Sequence, residues 1–217
     1  MIAATYTQGD GFRVQEVAPP SVGNGDVLVR VTASAICGTD IRTIRNGHRK
    51  LAPGQRIILG HEFAGIVESS GGHNSAFPAG MRVAVAPNVG CGRCELCVQG
   101  FANMCSDYQA FDITWDGVHT EYVRLPHAAV AQGNIGPIDT NAIHYKNLLV
   151  TGVTGGSLHD SRVAARLISS RRIDVTSVIS HDFALTEMAL AFEQAMGQDA
   201  MKVVLRTEAD GAEAADA

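Results

Sequence analysis

A cluster of cysteines constrains the fold of this chain more than any other feature of its sequence. The chain of 217 residues has five cysteines, and four of them follow a C-x2-C-x2-C-x7-C pattern, namely Cys91, Cys94, Cys97 and Cys105. Four thiolates so closely spaced are the ligands of a closed tetrahedral zinc site, with Zn–S bonds of about 2.3 Å. We expect Gly90, Gly92 and Gly100 to supply positive φ where the chain turns around the ion. The pattern therefore predicts a lobe that is held by structural zinc.

Two other chemistries could use the same four cysteines. A pair of disulfides needs an oxidising compartment, and the first residues, MIAATYTQGDGF, do not resemble a secretory signal. An iron–sulfur cluster also takes four thiolates, but at a different spacing. Zinc is thus favoured, and disulfides and an iron–sulfur cluster stay open as alternatives.

Composition and charge restrict the possible partners. The hydrophobic content of 46% suffices for one substantial core or two modest ones. The net charge is −5, and the one dense basic stretch, 42–50, is interpreted as a solvated face. Because nucleic-acid binding needs a basic patch, no nucleic-acid partner is expected. No apolar run approaches the length of a membrane span, so we expect a cytoplasmic protein without a membrane partner.

The first 130 or so residues are predicted to form short strands. Val27, Val29, Val31 and Ala33 alternate with other residues, which is the pattern of a strand with one buried face. Further strands are predicted at 56–60, 63–69, 81–86 and 120–125, separated by glycine and proline turns. Many short strands without a helical period indicate a barrel or a sandwich.

The character of the sequence changes after about Gly133, where helical periods begin. One helix is predicted from Asp160, its N-cap, and a second from Thr186. Strands are predicted at 178–180 and 202–206, and the tail from Glu208 lacks apolar residues that could anchor it. This half is therefore predicted to be mixed α/β.

A second group of candidate metal ligands lies at two strand ends. Cys37 lies in SAICGTD and His61-Glu62 in ILGHEFAG, each just after a predicted strand. A thiolate, an imidazole and a carboxylate together can hold a zinc that keeps one position open for water or substrate. Taken alone, Cys37 could be a small buried residue, and His61-Glu62 could be ordinary polar residues.

The three motifs in this order resemble the zinc-dependent medium-chain alcohol and polyol (sorbitol-like) dehydrogenase family, whose GroES-like β-domain carries a catalytic and a structural zinc. The segments IDTNAIHYKNLLVTGVTGGS, RRIDVTSVISHDFALTEMALAFEQA and MKVVL are similar to the return of the chain to the catalytic domain in its polyol branch. The resemblance implies a mainly β fold with an α/β C-terminal part: a GroES-like barrel at 1–133 and an α/β segment completing it at 134–206. The composition of the last residues predicts a disordered tail at 207–217.

The resemblance also implies roles for single residues. Cys37 and His61 would bind the catalytic zinc, and Glu62 would bind it directly or swing in and out. Asp40 would accept a hydrogen bond from the ligand imidazole, and Thr39 would bind the substrate hydroxyl and begin a proton relay. The four clustered cysteines would hold the structural zinc. The implied reaction is hydride transfer from an alcohol or sugar alcohol to NAD(P).

The sequence departs from the family where the cofactor should bind. A Rossmann domain begins with strand, G-x-G-x-x-G and helix, but the chain runs from His127 directly into the segment that resembles the re-entry to the catalytic domain. The nearest glycine cluster, TGVTGGS at 151–157, has the wrong spacing. A domain of about 100–150 residues is therefore absent, with the junction near 131–136. We expect weak NAD(P) binding, little turnover by the chain alone, and an exposed apolar face that could support a homo-oligomer.

Two smaller departures concern the catalytic site. The polyol branch takes a further zinc ligand from an E-P dipeptide, which this chain lacks, and Arg42 stands where the family often has a relay histidine. The remaining histidines are expected to be polar surface or satisfied core residues; of these, His48 follows the catalytic loop, and His119 lies in a loop near Trp115 that could line a substrate pocket. Two further functions stay open: a non-enzymatic zinc-binding module on the same scaffold, and zinc-assisted hydration or hydrolysis.

Overall fold

The strands of the described residues form three sheets, and the largest of them has seven strands. The computed structural model describes residues 1–72, 76–131, 135–137, 158–197 and 199–207. Their strands are β1 (Ile2–Thr7), β2 (Gly11–Glu16), β3 (Val27–Ile36), β4 (Arg56–Ile58), β5 (Glu62–Ser70), β6 (Arg82–Val85), β7 (Asn88–Val89), β8 (Gln109–Ala110), β9 (Tyr122–Leu125), β10 (Ile135–Pro137), β11 (His181–Ala184) and β12 (Val203–Arg206).

Short helices connect these strands. The α-helices are α1 (Gly38–Asn46), α2 (Glu95–Val98), α3 (His127–Ala131), α4 (Leu158–Ser169) and α5 (Met188–Met196). Turns of 3-10 helix lie at Ala102–Met104, Thr176–Val178 and Leu185–Glu187. Among the described residues, no helix has both the length and the hydropathy that a membrane span requires.

Strand β3 is the centre of the main sheet, which runs in the order β10-β6-β5-β3-β12-β11. Besides β5 and β12, strand β9 also pairs with β3, which is long enough to take two partners along one edge. Val27, Val29 and Val31 are at most 1% exposed, as their alternation in the sequence predicts. The smaller sheets are β2-β1-β4 and β7-β8.

Two hydrophobic clusters stabilise the fold. The first is formed mainly by valines of β3, β5, β6 and β9 around Phe111. The second packs α5 and β12 against β1 and β4, with Met188 and Phe192 almost fully buried. Because β12 pairs antiparallel with β3, a C-terminal strand lies in the same sheet as the N-terminal half. The domain boundary at 133/134 stays a prediction.

Most of the predicted elements are confirmed. The strands expected at 27–33, 56–60, 63–69, 81–86, 120–125 and 202–206 correspond to β3, β4, β5, β6, β9 and β12. The mainly β content with an α/β C-terminal part is confirmed as well. The glycine cluster at 151–157 and the tail from Glu208 lie outside the described residues.

Two local predictions in the C-terminal part are wrong, and the predicted start of the second helix is correct to within one residue. The segment 178–180 is not a strand: a 3-10 turn ends at Val178, and β11 begins only at His181. Asp174 accepts hydrogen bonds from the amide and hydroxyl of Thr176, and this local turn outcompetes extended backbone. Asp160 lies inside the first turn of α4 rather than at its N-cap. The second helix begins as the 3-10 turn Leu185–Glu187 and becomes α-helical at Met188.

Candidate metal centres

The main sheet brings the predicted ligands of the catalytic zinc together. Strands β3 and β5 are antiparallel with Ala35 opposite Glu62, so the end of β3 lies beside the start of β5. Cys37 immediately follows β3 and precedes α1, and His61 immediately precedes β5. One ligand atom from each of Cys37, His61 and Glu62 lies within 4.8 Å of the others. All three residues are partly exposed, as a site that admits a substrate requires.

Asp40 fixes the two loops that carry these residues. Its carboxylate is fully buried and accepts the amide of Cys37 at 2.8 Å and the amide of Gly60 at 3.0 Å. Burial alone would raise the pKa of Asp40, but attraction to His119 and hydrogen bonds lower it. The prediction that Asp40 accepts a hydrogen bond from the His61 imidazole is wrong, because Nδ1 of that ring contacts Asp112 instead.

The partner of His61 is instead Asp112, which the sequence analysis did not single out. His61 Nδ1 lies 2.7 Å from Asp112 Oδ2, so Nε2 is the nitrogen left for a metal. Burial lowers the pKa of His61, yet hydrogen bonds to Asp112 and Cys37 outweigh it and raise this pKa to about 11. Burial raises the pKa of Asp112 itself. No local signal marks Asp112, since the two residues lie 51 positions apart.

Asp40, His61 and Asp112 form a second compact group of ligand-type atoms, again within 4.8 Å. The two aspartates are buried, and their oxygens already accept hydrogen bonds from Cys37, Gly60 and His61. This side of the imidazole is therefore suited to orient the ring. A metal is better suited to the group formed with Cys37 and Glu62, which supplies a sulfur and a carboxylate beside the imidazole.

Glu62 has a cationic partner in the C-terminal part of the chain. Val203 of β12 lies opposite Ile36 of β3, which places Lys202 on the other side of Cys37 from β5. Lys202 Nζ donates to Glu62 Oε2 at 2.8 Å. The side chains are 33% and 17% exposed, respectively. Glu62 can thus pair with Lys202 whenever it does not contact a metal.

The other side chains considered in the sequence analysis lie partly at the candidate site and partly in the core. Thr39 Oγ1 lies 3.8 Å from Cys37 Sγ, at the mouth of the candidate site, and Arg42 is exposed. His119 is fully buried, as expected of a core histidine, and it does not line a substrate pocket. Its Nδ1 lies 3.0 Å from Ser34 Oγ, and its Nε2 lies 3.5 Å from Asp40 Oδ2. His48 is also buried, with Nε2 2.9 Å from the Asp112 carbonyl oxygen.

The four clustered cysteines converge as well. Strands β7 and β8 pair at the base of the lobe, and the four sulfur atoms lie within 4.8 Å of one another. Amides of Arg93 and Cys94 donate to the sulfur of Cys91 and lower its pKa to about 6. Backbone donors thus favour a thiolate, which is the form that binds zinc. Because this donor set is sulfur alone and leaves no carboxylate or imidazole, it suits a closed site.

Gly90 is required by close approach rather than by positive φ, which the structure gives to Gly92 and Gly100 but not to Gly90. A Cβ at position 90 would lie 2.5 Å from Cys97 Sγ. We therefore expect Gly90→Ala to displace that sulfur and to weaken zinc binding by the lobe about tenfold or more, as other distortions around metal ligands do. Zinc release to a chelator measures the loss. Gly38→Ala is the control, since its Cβ would meet nothing within 4 Å; equal losses in both variants would contradict the prediction.

Comparison with known proteins finds a family model that covers both candidate metal centres, together with several relatives. Residues 23–134 match the family model "Alcohol dehydrogenase GroES-like domain". The chain is 35% identical over 127 residues to the sorbitol dehydrogenase of Bacillus subtilis, covering 58% of this chain and 36% of that protein. It is 31% identical over 188 residues to the L-threonine 3-dehydrogenase of Streptomyces coelicolor, covering 77% of this chain and 54% of that protein. The chain therefore spans about half or less of the length of these relatives.

Solved structures support the fold. Galactitol-1-phosphate dehydrogenase from Escherichia coli superposes with a TM-score of 0.75 over 95% of this chain and 100% of that chain, at 16% identity. The GroES-like barrel expected from the motifs is confirmed by the family match and by this likeness. The cysteine lobe and the Cys37 loop both fall inside the matched residues. This chain belongs to the family of alcohol dehydrogenases with a GroES-like domain.

Proposed function

We propose that this chain is the catalytic domain of a zinc-dependent alcohol or polyol dehydrogenase. The observation that carries the proposal is the convergence of Cys37, His61 and Glu62 from two strand ends, beside a separate lobe of four cysteines. Cys37, His61 and Glu62 would hold the catalytic zinc, and Cys91, Cys94, Cys97 and Cys105 the structural one. The mixed thiolate, imidazole and carboxylate set fits a zinc with an open position, and the all-thiolate set fits a closed one.

We call the candidate catalytic site of Cys37, His61 and Glu62 the open site. The residues around it would have different roles in alcohol oxidation. Zinc, when bound, would supply the Lewis acidity that makes a substrate hydroxyl easier to deprotonate. Thr39, next to Cys37, would accept the proton of that hydroxyl and pass it to solvent. Lys202 would hold Glu62 while the substrate occupies the open position. Asp40 and Asp112 would keep Cys37 and His61 in place, so that little rearrangement accompanies binding.

Oxidation of an alcohol requires a hydride acceptor, and this requirement limits turnover by the isolated chain. The relatives named above act on sorbitol and L-threonine, so we propose an alcohol or sugar alcohol as the substrate and NAD(P) as the acceptor. The sequence contains no G-x-G-x-x-G fingerprint, which would place the cofactor phosphates at a helix N-terminus. Turnover would therefore need a nucleotide-binding domain supplied by other means, and we expect the isolated chain to turn over poorly.

The test combines metal analysis with a cofactor titration on one sample. We expect atomic absorption to find one zinc ion for each of the two sites, and Cys37→Ser to lose one of them while keeping the other. Calorimetry with NAD+ should show no micromolar binding. If Cys37→Ser kept both zinc ions, the proposed catalytic site would be wrong. If the chain bound NAD+ with micromolar affinity, the expectation that it lacks a cofactor domain would be wrong.

A non-enzymatic zinc-binding module is the second candidate, favoured by the missing dinucleotide fingerprint. On that view the lobe site is filled and the open site is dispensable. Cys37→Ser would then change neither zinc content nor partner binding. Apolar side chains of the lobe, Val98 and Met104, are 75% and 63% exposed, and they offer a surface for a homo-oligomer under either function. A cytoplasmic location stays a prediction.

A further inference from the structure

Asp112 has a left-handed backbone conformation that is uncommon for residues other than glycine. Its φ is +57°, in the left-handed region that glycine enters without steric cost and other residues enter only when the surroundings demand it. The residue is 3% exposed, so its carboxylate is buried as well. The left-handed backbone and the burial of the carboxylate each lower the stability of the fold. Such outliers persist where the surrounding structure holds them, and here the contact partners are known.

His48 holds the backbone of Asp112. The ring nitrogen Nδ1 of His48 accepts the amides of Lys50 and Leu51 at 3.2 and 3.1 Å. Because Nδ1 is an acceptor, the proton of the neutral ring must be on Nε2. Nε2 therefore donates to the carbonyl oxygen of Asp112 at 2.9 Å. His48 itself is 4% exposed, and its amide donates to Gln8 Oε1 at 3.0 Å.

The side chain of Asp112 completes the connection. With its carbonyl oxygen held by His48, the left-handed turn at Asp112 directs the carboxylate to His61, whose Nδ1 lies 2.7 Å from Oδ2. The other nearby carboxylate, Asp40, is occupied by the amides of Cys37 and Gly60. Asp112 is thus the carboxylate that determines the tautomer and orientation of His61. A ligand histidine whose second nitrogen is held in this way presents a fixed, more basic nitrogen to a metal.

We propose that His48 and Asp112 form a positioning clamp that aims Nε2 of His61 at the metal of the open site. The inference rests on the proposed function, since it needs a metal held by Cys37, His61 and Glu62. It assigns the left-handed conformation of Asp112 to metal binding rather than to folding. Neither residue touches substrate, so both are positioning residues.

Asp112→Gly separates the two roles, because glycine accepts the same φ without strain and lacks the carboxylate. We expect the zinc of the open site to be released to a chelator at about 10- to 100-fold lower competitor concentration, while relief of the left-handed backbone offsets part of the stability that the metal-free chain loses with the His61–Asp112 contact. With Co2+ in place of zinc, the visible absorption of the open site should also shift. Asp112→Asn, whose amide oxygen can still accept from Nδ1, should lose less affinity than Asp112→Gly.

Asp26→Asn is the matched control. Asp26 is a buried aspartate whose carboxylate accepts the amides of Gly23 and His127 and lies in another part of the fold. We expect this variant to lose stability and to keep the affinity of the open site. The lobe zinc serves as an internal reference in every variant.

Two results would overturn the inference, and they are distinguishable. If Asp112→Gly keeps the affinity of the open site within about twofold and only changes the melting temperature, the clamp has a structural role alone and the proposed function stands. If Cys37→Ser retains both zinc ions, the open site itself is wrong, and the clamp fails with it.

Discussion

Cys105→Ser is expected to release one zinc ion from the chain and to unfold the segment 91–105. Cys105 is 2% exposed and is the only buried cysteine of the four. Its sulfur accepts the amide of Cys91 at 3.4 Å and lies 3.8 Å from Cys94 Sγ. A serine hydroxyl stays protonated at neutral pH and cannot replace a thiolate. We therefore expect the affinity of the lobe for zinc to fall by more than the ~100-fold that a lost partner of a ligand costs.

The structural consequence follows from what else holds this lobe together. Its large apolar side chains are exposed rather than packed: Leu96, Val98, Phe101 and Met104 are 37%, 75%, 48% and 63% exposed. The lobe thus has little hydrophobic core to stabilise it without a metal, and in such small units metal binding provides the free energy of folding. Limited proteolysis of the variant should cut within 91–105 while the β3-centred sheet resists.

Cys37→Ser is the control for this result, since it removes a thiolate from the other site. It should lose the other zinc ion and keep the lobe resistant to the protease. An uncut lobe in Cys105→Ser at full zinc content would contradict the prediction. A disulfide pairing of the four cysteines would give a third pattern, in which a reducing agent rather than a chelator releases the lobe.

The sequence predicted those parts of the molecule that local patterns encode. The alternation of Val27, Val29 and Val31 identified the central strand, and the spacing of the four cysteines identified the lobe. Cys37, His61 and Glu62 could be grouped because their two motifs, followed by the cysteine lobe, resemble one dehydrogenase family; the residues alone left them open as ordinary side chains. Their grouping is a consequence of the β3–β5 register, in which Ala35 lies opposite Glu62.

The rest depends on contacts that the sequence does not encode locally. Asp112 lies in a loop without any motif, and only the fold brings it to His61. The expected Asp40–His61 hydrogen bond was implied by the family resemblance, but His61 contacts Asp112, and Asp40 accepts two backbone amides. Lys202 could not be placed at Glu62 because the two residues are 140 positions apart. In the C-terminal part, the bond from Thr176 to Asp174 decided between turn and strand at a site where hydrophobic pattern favoured the strand.

Asp40→Asn is the second substitution for which we expect a large effect. Each oxygen of Asp40 accepts a different backbone amide, of Cys37 and of Gly60, whereas asparagine has a single acceptor oxygen. One of the two amides must then face the donor NH2 group of the asparagine in a fully buried position. The substitution also removes the negative charge 3.5 Å from His119 Nε2, which has no hydrogen-bond partner of its own.

An unsatisfied buried donor costs about 1–3 kcal/mol, and more where the lost partner is charged. We therefore expect Asp40→Asn to lower the free energy of unfolding by about 3 kcal/mol. Urea denaturation of the metal-free chain measures this loss without a contribution from zinc. The open site should also bind zinc more weakly, since Asp40 fixes the loop of Cys37 to the loop of His61.

Asp116→Asn is the matched control for this loss. Asp116 is exposed and accepts one amide, that of Ile58, at 2.9 Å, and asparagine can still accept it. We expect this control to change the free energy of unfolding by less than about 1 kcal/mol. Equal losses in the two variants would show that Asp40 contributes no more than an ordinary loop carboxylate. A large loss at Asp40 alone would mean that one buried carboxylate, by holding two backbone amides at once, both stabilises the fold and keeps the strand ends of β3 and β5 in register for metal binding.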